Sequence, residues 1–524
     1  MRVWNLLAGI VVPVLALLAG GCGASSSDEC HPACGAGFTC YYGVCVPGGN
    51  TDGGDGVVEG GDADAAADGD ADAEIGADGD ADTGADGDAD ADAGCSSGDA
   101  RCSGDRTALE TCSAGGAWES TPCTLGCAGD PVAHCQDWDI SNIPDETLLS
   151  AGVEGTESWA TPDENPYYLQ FNTADGAVAL YDESWSPVLQ VRESGIGPDE
   201  RSGIQFTVLT QPGGAPELGV FSFQRLDVAR NVTVAAWGPR ALVLLSEEDA
   251  TIEGGVFVGC YGNDQPPVAG GREGGVGPGA GGGAGPSIPD VSGFRDGGGG
   301  GGGFGGSGGL GGGYLETMRG AAGTPAGTPE LVPLEAGSGG GSGGGSTPEG
   351  RRGGTSGGST QIVSGGTLTV RGWVDARGCG GLSTYGGANE GGGGGGSGGG
   401  ILFEAPHVQV TGAITANGGG GGAGGEGVPG YSDGSPGEMR VVDPAPGGTQ
   451  VTGYACDGGS GSGGAGVAGG GAPECSGDAD LYNAGGGGGS AGRIRINGLT
   501  RNITGVLSPA LGSPAASEGE LHLR

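Results

Sequence analysis

The stretch ILFEAPHVQVTGAITANGGGGG, residues 401–422, carries the pattern that decides the fold. Val408, Val410, Gly412, Ile414 and Ala416 alternate with small or polar residues, the period of a strand with one buried face. The pattern stops at Asn417 and gives way to glycine, which offers nothing to a hydrophobic core. The same arrangement recurs in VLLSEEDATIEGGVFVG from Val243, IVSGGTLTVRGWVDARG from Ile362 and IRINGLTRNITGVLSPA from Ile494. Each copy holds a short apolar strand, a turn and a second strand centred on Gly254, Gly372, Gly412 or Gly505. A weaker copy, VFSFQRLDVARNVTVAAWG from Val220, precedes them.

One such strand cannot bury a face, but stacked copies can, because every second residue points inward. The expected fold is therefore mainly β, a single-stranded parallel β-helix-like solenoid of about 22 residues per turn. A twisted sandwich or mixed β-domain is the alternative. The glycine tracts, at about 262–358, 380–399 and 418–491, follow the second strand of successive copies, so they are expected as long polyglycine loop insertions at one corner. They are either mobile or packed backbone to backbone as extended polyglycine-type helices; Phe304, Leu310 and Tyr314 are the apolar marks that would order them.

Composition narrows the chemistry. Glycine supplies 132 of 524 residues and aromatics only 5%, so a conventional core over the whole length is excluded. The formal charge is -44, a surface that repels nucleic acid and anionic headgroups, so no nucleic-acid partner is expected. All 20 basic residues are arginine. Without lysine there is no Walker phosphate contact and no Schiff-base cofactor chemistry. No cofactor and no metal site are expected.

The N-terminus reads as an export signal over residues 1–21: Arg2, then an apolar run from Val3 to Ala19 broken by Pro13. It ends in LLAGGC, which resembles a bacterial lipobox with Ala19 where leucine is usual. That resemblance implies lipidation of Cys22, with a plainly cleaved chain as the alternative. Gly23 follows, in place of the aspartate that signals inner-membrane retention. The expected location is the outer membrane or cell surface, lipid-anchored.

Of 15 cysteines, removing Cys22 leaves an even number in an exported chain, where disulfides persist. A four-Cys module spans 22–49. Its sequence CHPACGAGFTCYYGVC resembles small EGF-like fragments, which implies Cys30–Cys40 and Cys34–Cys45. Residues 50–94 contain sixteen acidic residues from Thr51 onward and no arginine, a self-repelling disordered linker. Its D-x-D-x-D runs also suggest calcium, but from Asp78 the loop glycine and final glutamate of an EF-hand are replaced by Thr83 and Ala89. A six-Cys disulfide module covers 95–136, with Cys95, Cys102, Cys112, Cys123, Cys127 and Cys135 in undetermined order. The β-rich domain is residues 137–524. There the repeat brings Cys260 and Cys379 to one corner of consecutive coils, about 4.8 Å apart along the stack, which favours a Cys260–Cys379 bridge. Cys456 and Cys475 are left to pair within the last insert.

Other motifs carry little. The G-x-S-x-G at Gly305–Gly309 arises by chance in glycine-serine sequence and lacks a strand–turn–helix context. Asp375, Glu404 and Arg371 are the residues a carbohydrate-active β-helix enzyme, a polysaccharide lyase or hydrolase, would draw on. Structural use of such carboxylates is the preferred reading.

The segments LGVFSFQRLDV, DGGGGGGGFGGSGGLGG, GGGSGGGILFEAP and GGGGGSAGRIRI resemble Gly-rich predicted surface lipoproteins of myxobacteria and relatives, from about Gly203 to the end. The six-Cys segment resembles small Cys-rich modules common in myxobacterial surface proteins. The chain is also similar to glycine-rich adhesins whose polyglycine loops present binding tips. The resemblance implies a non-enzymatic cell-envelope lipoprotein in surface structure or adhesion. Its partners would be the membrane, through the anchor, and surface glycans or other envelope proteins.

Overall fold

The computed structural model describes residues 95–144, 166–263, 266–283, 296–345, 351–383, 389–426 and 483–524 nearly throughout. Shorter pieces are described at 38–41, 44–47, 156–159, 288–290, 293–295, 433–435 and 443–449. The chain divides into two units, Met1–Ala89 and Asp90–Arg524. In the first, Phe38–Tyr41 pairs antiparallel with Val44–Pro47 and sets Cys40 opposite Cys45. The expected bridges of Cys30, Cys34, Cys40 and Cys45, the export signal, Cys22, the acidic spacer and Cys456–Cys475 lie outside the described residues and side chains.

The second unit is mainly β, with extensive parallel sheets. From Leu218 the chain visits three sheets in fixed rotation, here A, B and C. The first passage is Leu218–Phe223 in A, Arg225–Val228 in B and Val232–Trp237 in C. The second is Ala241–Ser246, Ala250–Ile252 and Gly255–Phe257. The third is Ser359–Ser364, Thr367–Val370 and Trp373–Asp375. The fourth is Gly400–Glu404, His407–Val410 and Ala413–Thr415; the fifth is Arg493–Asn497, Thr500–Ile503 and Val506–Ser508. Each strand pairs in parallel with the equivalent strand of the passage before.

Register explains why the sequence repeats. Phe221, Leu244, Ile362, Phe403 and Ile496 stand opposite one another along sheet A, all fully buried. Val234, Val256, Val374, Ile414 and Leu507 form the matching ladder in sheet C. Sheet B adds Val228, Ile252, Val370 and Val410. These ladders enclose one core. At the first-passage end, the antiparallel strands Tyr167–Asn172, Val178–Tyr181 and Pro187–Arg192 continue sheet C, while Gln205–Leu209 extends sheet A.

The second strand of each copy differs from the sequence expectation: it is two strands, bent at the anchor glycine where the chain turns from sheet B to sheet C. A Cβ at Gly372 would lie 1.7 Å from the Gly254 carbonyl oxygen, and one at Gly412 would lie 1.9 Å from that of Gly372. The corners stack backbone on backbone, so no side chain fits there.

The described glycine segments are also unlike surface loops. They are buried against each other, and the longest insert covers the outer face of sheet A through Phe304, Leu331 and Leu334. Segment 391–399 lies among six others. Gly391, Gly394 and Ser397 donate to Gly344, Gly341 and Ser338. Gly392, Gly395 and Gly398 donate to Ala484, Gly487 and Ser490; Gly393, Gly396 and Gly399 donate to Leu382, Cys379 and Ala376. Carbonyls of the same segment accept from Gly299 and Gly302, Gly354 and Gly357, and Gly419 and Gly422. Every third residue therefore faces the same neighbour. That is the period of an extended three-residue turn without internal hydrogen bonds. Buried peptide groups must find partners, and here they find them sideways. A Cβ at Gly394 would fall 2.0 Å from the Gly300 oxygen. Phe304, fully buried, joins Leu331, Leu334, Val243, Leu245 and Leu402 in a second apolar cluster that fastens these segments to sheet A. Leu310 is half exposed, and Tyr314 lies outside the described residues.

The six-Cys module is closed by Cys95–Cys112, Cys102–Cys127 and Cys123–Cys135. Cys260 and Cys379 are bonded, with Cα atoms 5.2 Å apart, just beyond the Gly255–Phe257 and Trp373–Asp375 pair of sheet C.

Candidate functional site

Alternation decides what stands on the outer face of sheet C, which is open at Trp237 and covered at Ala235, Phe257, Asp375 and Thr415. Leu169 and Phe171 point inward, so Tyr168 and Gln170 point outward; Val234 and Ala236 point inward, so Trp237 points outward. Phe257 and Trp373 occupy outward positions on the next two strands. A Cβ at Gly255 would meet the Trp373 indole at 2.2 Å, so that ring lies on bare backbone.

The outward rings form a continuous series. Trp185 stacks on Tyr168 with centroids 4.5 Å apart and planes inclined 11°. Tyr181 lies 6.1 Å from Trp185. Tyr261 sits between Trp185 and Trp237, 6.3 and 6.0 Å from their rings, and 4.8 Å edge-on from Phe257. Phe257 in turn meets Trp373 at 6.4 Å and carries the Arg377 guanidinium 5.2 Å above its centroid. Trp185 and Trp237 remain 45% and 39% exposed.

Local structure holds the rings in place. Trp185 has φ 57, the left-handed region that a bulky residue rarely enters. Its turn is braced by Asp182 Oδ1, which accepts from the Ser184 and Ser186 amides at 2.9 and 2.8 Å. Tyr261 follows Cys260, so the Cys260–Cys379 bridge sets its position. Its hydroxyl donates to the Ala236 carbonyl at 3.2 Å, and burial, with Tyr168 nearby, holds it well above the usual phenol range.

The three residues considered for catalysis are not brought together. Asp375 is fully buried on sheet C. It accepts from Thr415 Oγ1 at 3.1 Å and the Arg377 amide at 3.0 Å, and it pairs with the Arg377 guanidinium at 2.8 Å. Burial raises its pKa, while Arg377 and the hydrogen bonds pull it down. Glu404 is on sheet A, where it accepts from the Ser141 amide and hydroxyl (3.2 and 2.7 Å), Gln361 (2.7 Å) and Asn497 (3.0 Å). Burial raises its pKa too, against those donors. It ties the segment after the six-Cys module to the sheet. Arg371 is exposed and pairs with Glu253 at 3.1 Å. These contacts use both carboxylates for structure.

A cavity of about 390 Å³ lies where the six-Cys module meets sheet A, lined by Leu125, Gln136, Trp138, Leu245 and Glu247 among others. Burial, then the neighbouring Glu248, raises the Glu247 pKa. Among the described residues, no cluster of His, Cys, Asp and Glu is placed to hold a metal, and no helix is long and apolar enough to cross a membrane.

Sequence reading did not single out the aromatic series. Its signal was there: TVAAWG, VFVGCYG and RGWVDARG put aromatic residues where the strand alternation calls for polar ones. Comparison with known proteins yields no match to a family model, a curated protein or a solved structure.

Proposed function

We propose that the protein is a non-enzymatic cell-envelope lipoprotein, anchored through Cys22 at the outer membrane or cell surface and acting in surface structure or adhesion. In this reading it belongs with the Gly-rich surface lipoproteins of myxobacteria and relatives. The three-sheet stack is a single-stranded parallel β-helix-like solenoid, and its polyglycine inserts pack as three-residue helices that brace sheet A.

The observation that carries the reading is the aromatic face of sheet C. Trp185 and Trp237 stand exposed at the edge of a packed aromatic cluster, and exposed aromatic rings held in this way mark a contact surface. Here they stand on a framework whose backbone groups are tied together across passages. The experiment is Cys22→Ser in the producing cell. The protein should move from the membrane to the soluble exported fraction, and its surface accessibility on intact cells should be lost. Unchanged membrane association of the variant would defeat the proposal.

A further inference from the structure

We infer that the aromatic face binds a neutral polysaccharide chain, laid across the strands of sheet C, with Trp185 and Trp237 as stacking platforms and Tyr261 between them. This deepens the adhesion reading and rests on it.

Shape comes first. Tyr181, Tyr168, Trp237, Phe257 and Trp373 sit on five neighbouring strands in the order Val178–Tyr181, Tyr167–Asn172, Val232–Trp237, Gly255–Phe257, Trp373–Asp375. At the usual strand spacing the rings cover about 19 Å. Phe257 is buried beside Tyr261 and Arg377, and the exposed rings are Trp185 and Trp237 on either side of Tyr261; two open platforms spaced along the face suit neighbouring units of a chain rather than one small molecule in a pocket.

Chemistry comes second. Tyrosine and tryptophan combine an apolar ring face with a polar handle, and the ring face is electron-rich. The C–H face of a pyranose is apolar and weakly electropositive, so it stacks on such a ring while its hydroxyls remain solvated. Outward Gln170, Asn172 and Thr233 supply amide and hydroxyl groups among the rings. The hydrocarbon tails of a lipid would gain nothing from them.

Charge comes third. A net charge of -44 with no lysine repels uronate or sulfate polymers, nucleic acid and anionic lipid. The arginine in the series, Arg377, is paired with Asp375 at 2.8 Å. A neutral chain suffers no such repulsion.

The fourth argument is strain. Trp185 holds a left-handed backbone that glycine or asparagine would adopt more readily. Such conformations persist where the surroundings impose them, and they concentrate at functional positions. Here the Asp182 turn imposes it, and the result is an indole with 45% exposure stacked on Tyr168.

The test uses the purified full chain and an array of neutral polysaccharides (cellulose, chitin, β-1,3-glucan, mannan), with alginate and heparin as anionic probes. Binding to at least one neutral polymer is expected, and none to the anionic ones. For a soluble oligosaccharide of the bound polymer, Trp185→Ala and Trp237→Ala should each weaken affinity about tenfold or more. Trp185→Phe should keep most of it. Trp118→Ala, in the six-Cys module, should leave it unchanged. Thermal unfolding of each variant separates lost binding from lost fold. Binding to no neutral polymer, or binding indifferent to both Trp185→Ala and Trp237→Ala, overturns the inference. So does a dimer that both substitutions dissociate, since the face would then be covered by a second copy. Membrane anchoring of the Trp185→Ala and Trp237→Ala variants should be intact. Failure to bind polysaccharide with anchoring preserved rejects this inference and leaves the lipoprotein reading standing.

Discussion

Gly412 lies directly on Gly372: a Cβ on the first would sit 1.9 Å from the carbonyl oxygen of the second. The same relation links Gly372 to Gly254 and Gly505 to Gly412, so each corner between sheets B and C rests on the one before. Nothing at such a contact yields except the backbone.

Gly372→Ala or Gly412→Ala should therefore destabilise the domain by about 1–3 kcal/mol, the range for overpacking a closed interior. Gly104, with open space where its Cβ would stand, is the control. Gly104→Ala should shift stability by no more than about 0.5 kcal/mol. Denaturant unfolding of the three variants decides the point, and equal effects at Gly104 and Gly412 would remove the corner argument.

The Cys260–Cys379 bridge closes a sequence separation of 119 residues around a glycine-rich insert. In the chain-entropy model, closing a loop of about 100 residues contributes roughly 4.7 kcal/mol, and measured gains are often smaller. A Cys260→Ser, Cys379→Ser double variant should lose a few kcal/mol of that order. It should also loosen Tyr261, read as raised solvent quenching of the neighbouring tryptophans. Non-reducing peptide mapping that joins Cys260 to another cysteine would reject the pairing itself.

Phe304 is fully buried where the longest insert meets sheet A, with the Arg493 guanidinium 5.6 Å from its ring centre. Phe304→Ala should cost about 3–5 kcal/mol. Hydrogen exchange gives the sharper readout. In the parent chain the amides of 391–399 should be protected, because each donates to a neighbouring glycine segment. In the variant, protection around 297–303 should fall before that of the sheet B strands. Fast exchange throughout 391–399 in the parent would contradict the packing described above.

Burial, opposed by Arg377, raises the Asp375 pKa in the folded chain above the ordinary value of about 3.9. A raised folded pKa means stability that is fully present below the unfolded value and lost as pH rises through the folded one. Asp375→Asn removes this titration. Its melting temperature relative to the parent should therefore rise between pH 4 and pH 7, even though leaving Arg377 without its carboxylate lowers both values. A difference that falls over the same interval would show that ion pairing, not burial, governs the group.

The repeat of Val256, Val374, Ile414 and Leu507 around spaced glycines was enough to find strands, their inward faces and their equivalence, because period-two burial is written in residue type. Export, the Cys-rich modules and the acidic spacer are expectations of the same kind, resting on local composition. Three things were decided by tertiary structure. The bend at Gly372 and Gly412 depends on the carbonyl of the previous passage, which no single copy contains. The order among the glycine segments depends on hydrogen bonds between residues as far apart as Gly299 and Gly487, and a glycine carries no side chain to announce its neighbour. The aromatic series joins Tyr168, Trp185, Trp237, Tyr261 and Trp373 only because parallel stacking sets their strands side by side. Sequence specifies what each strand buries; what the outer faces assemble depends on which strands become neighbours.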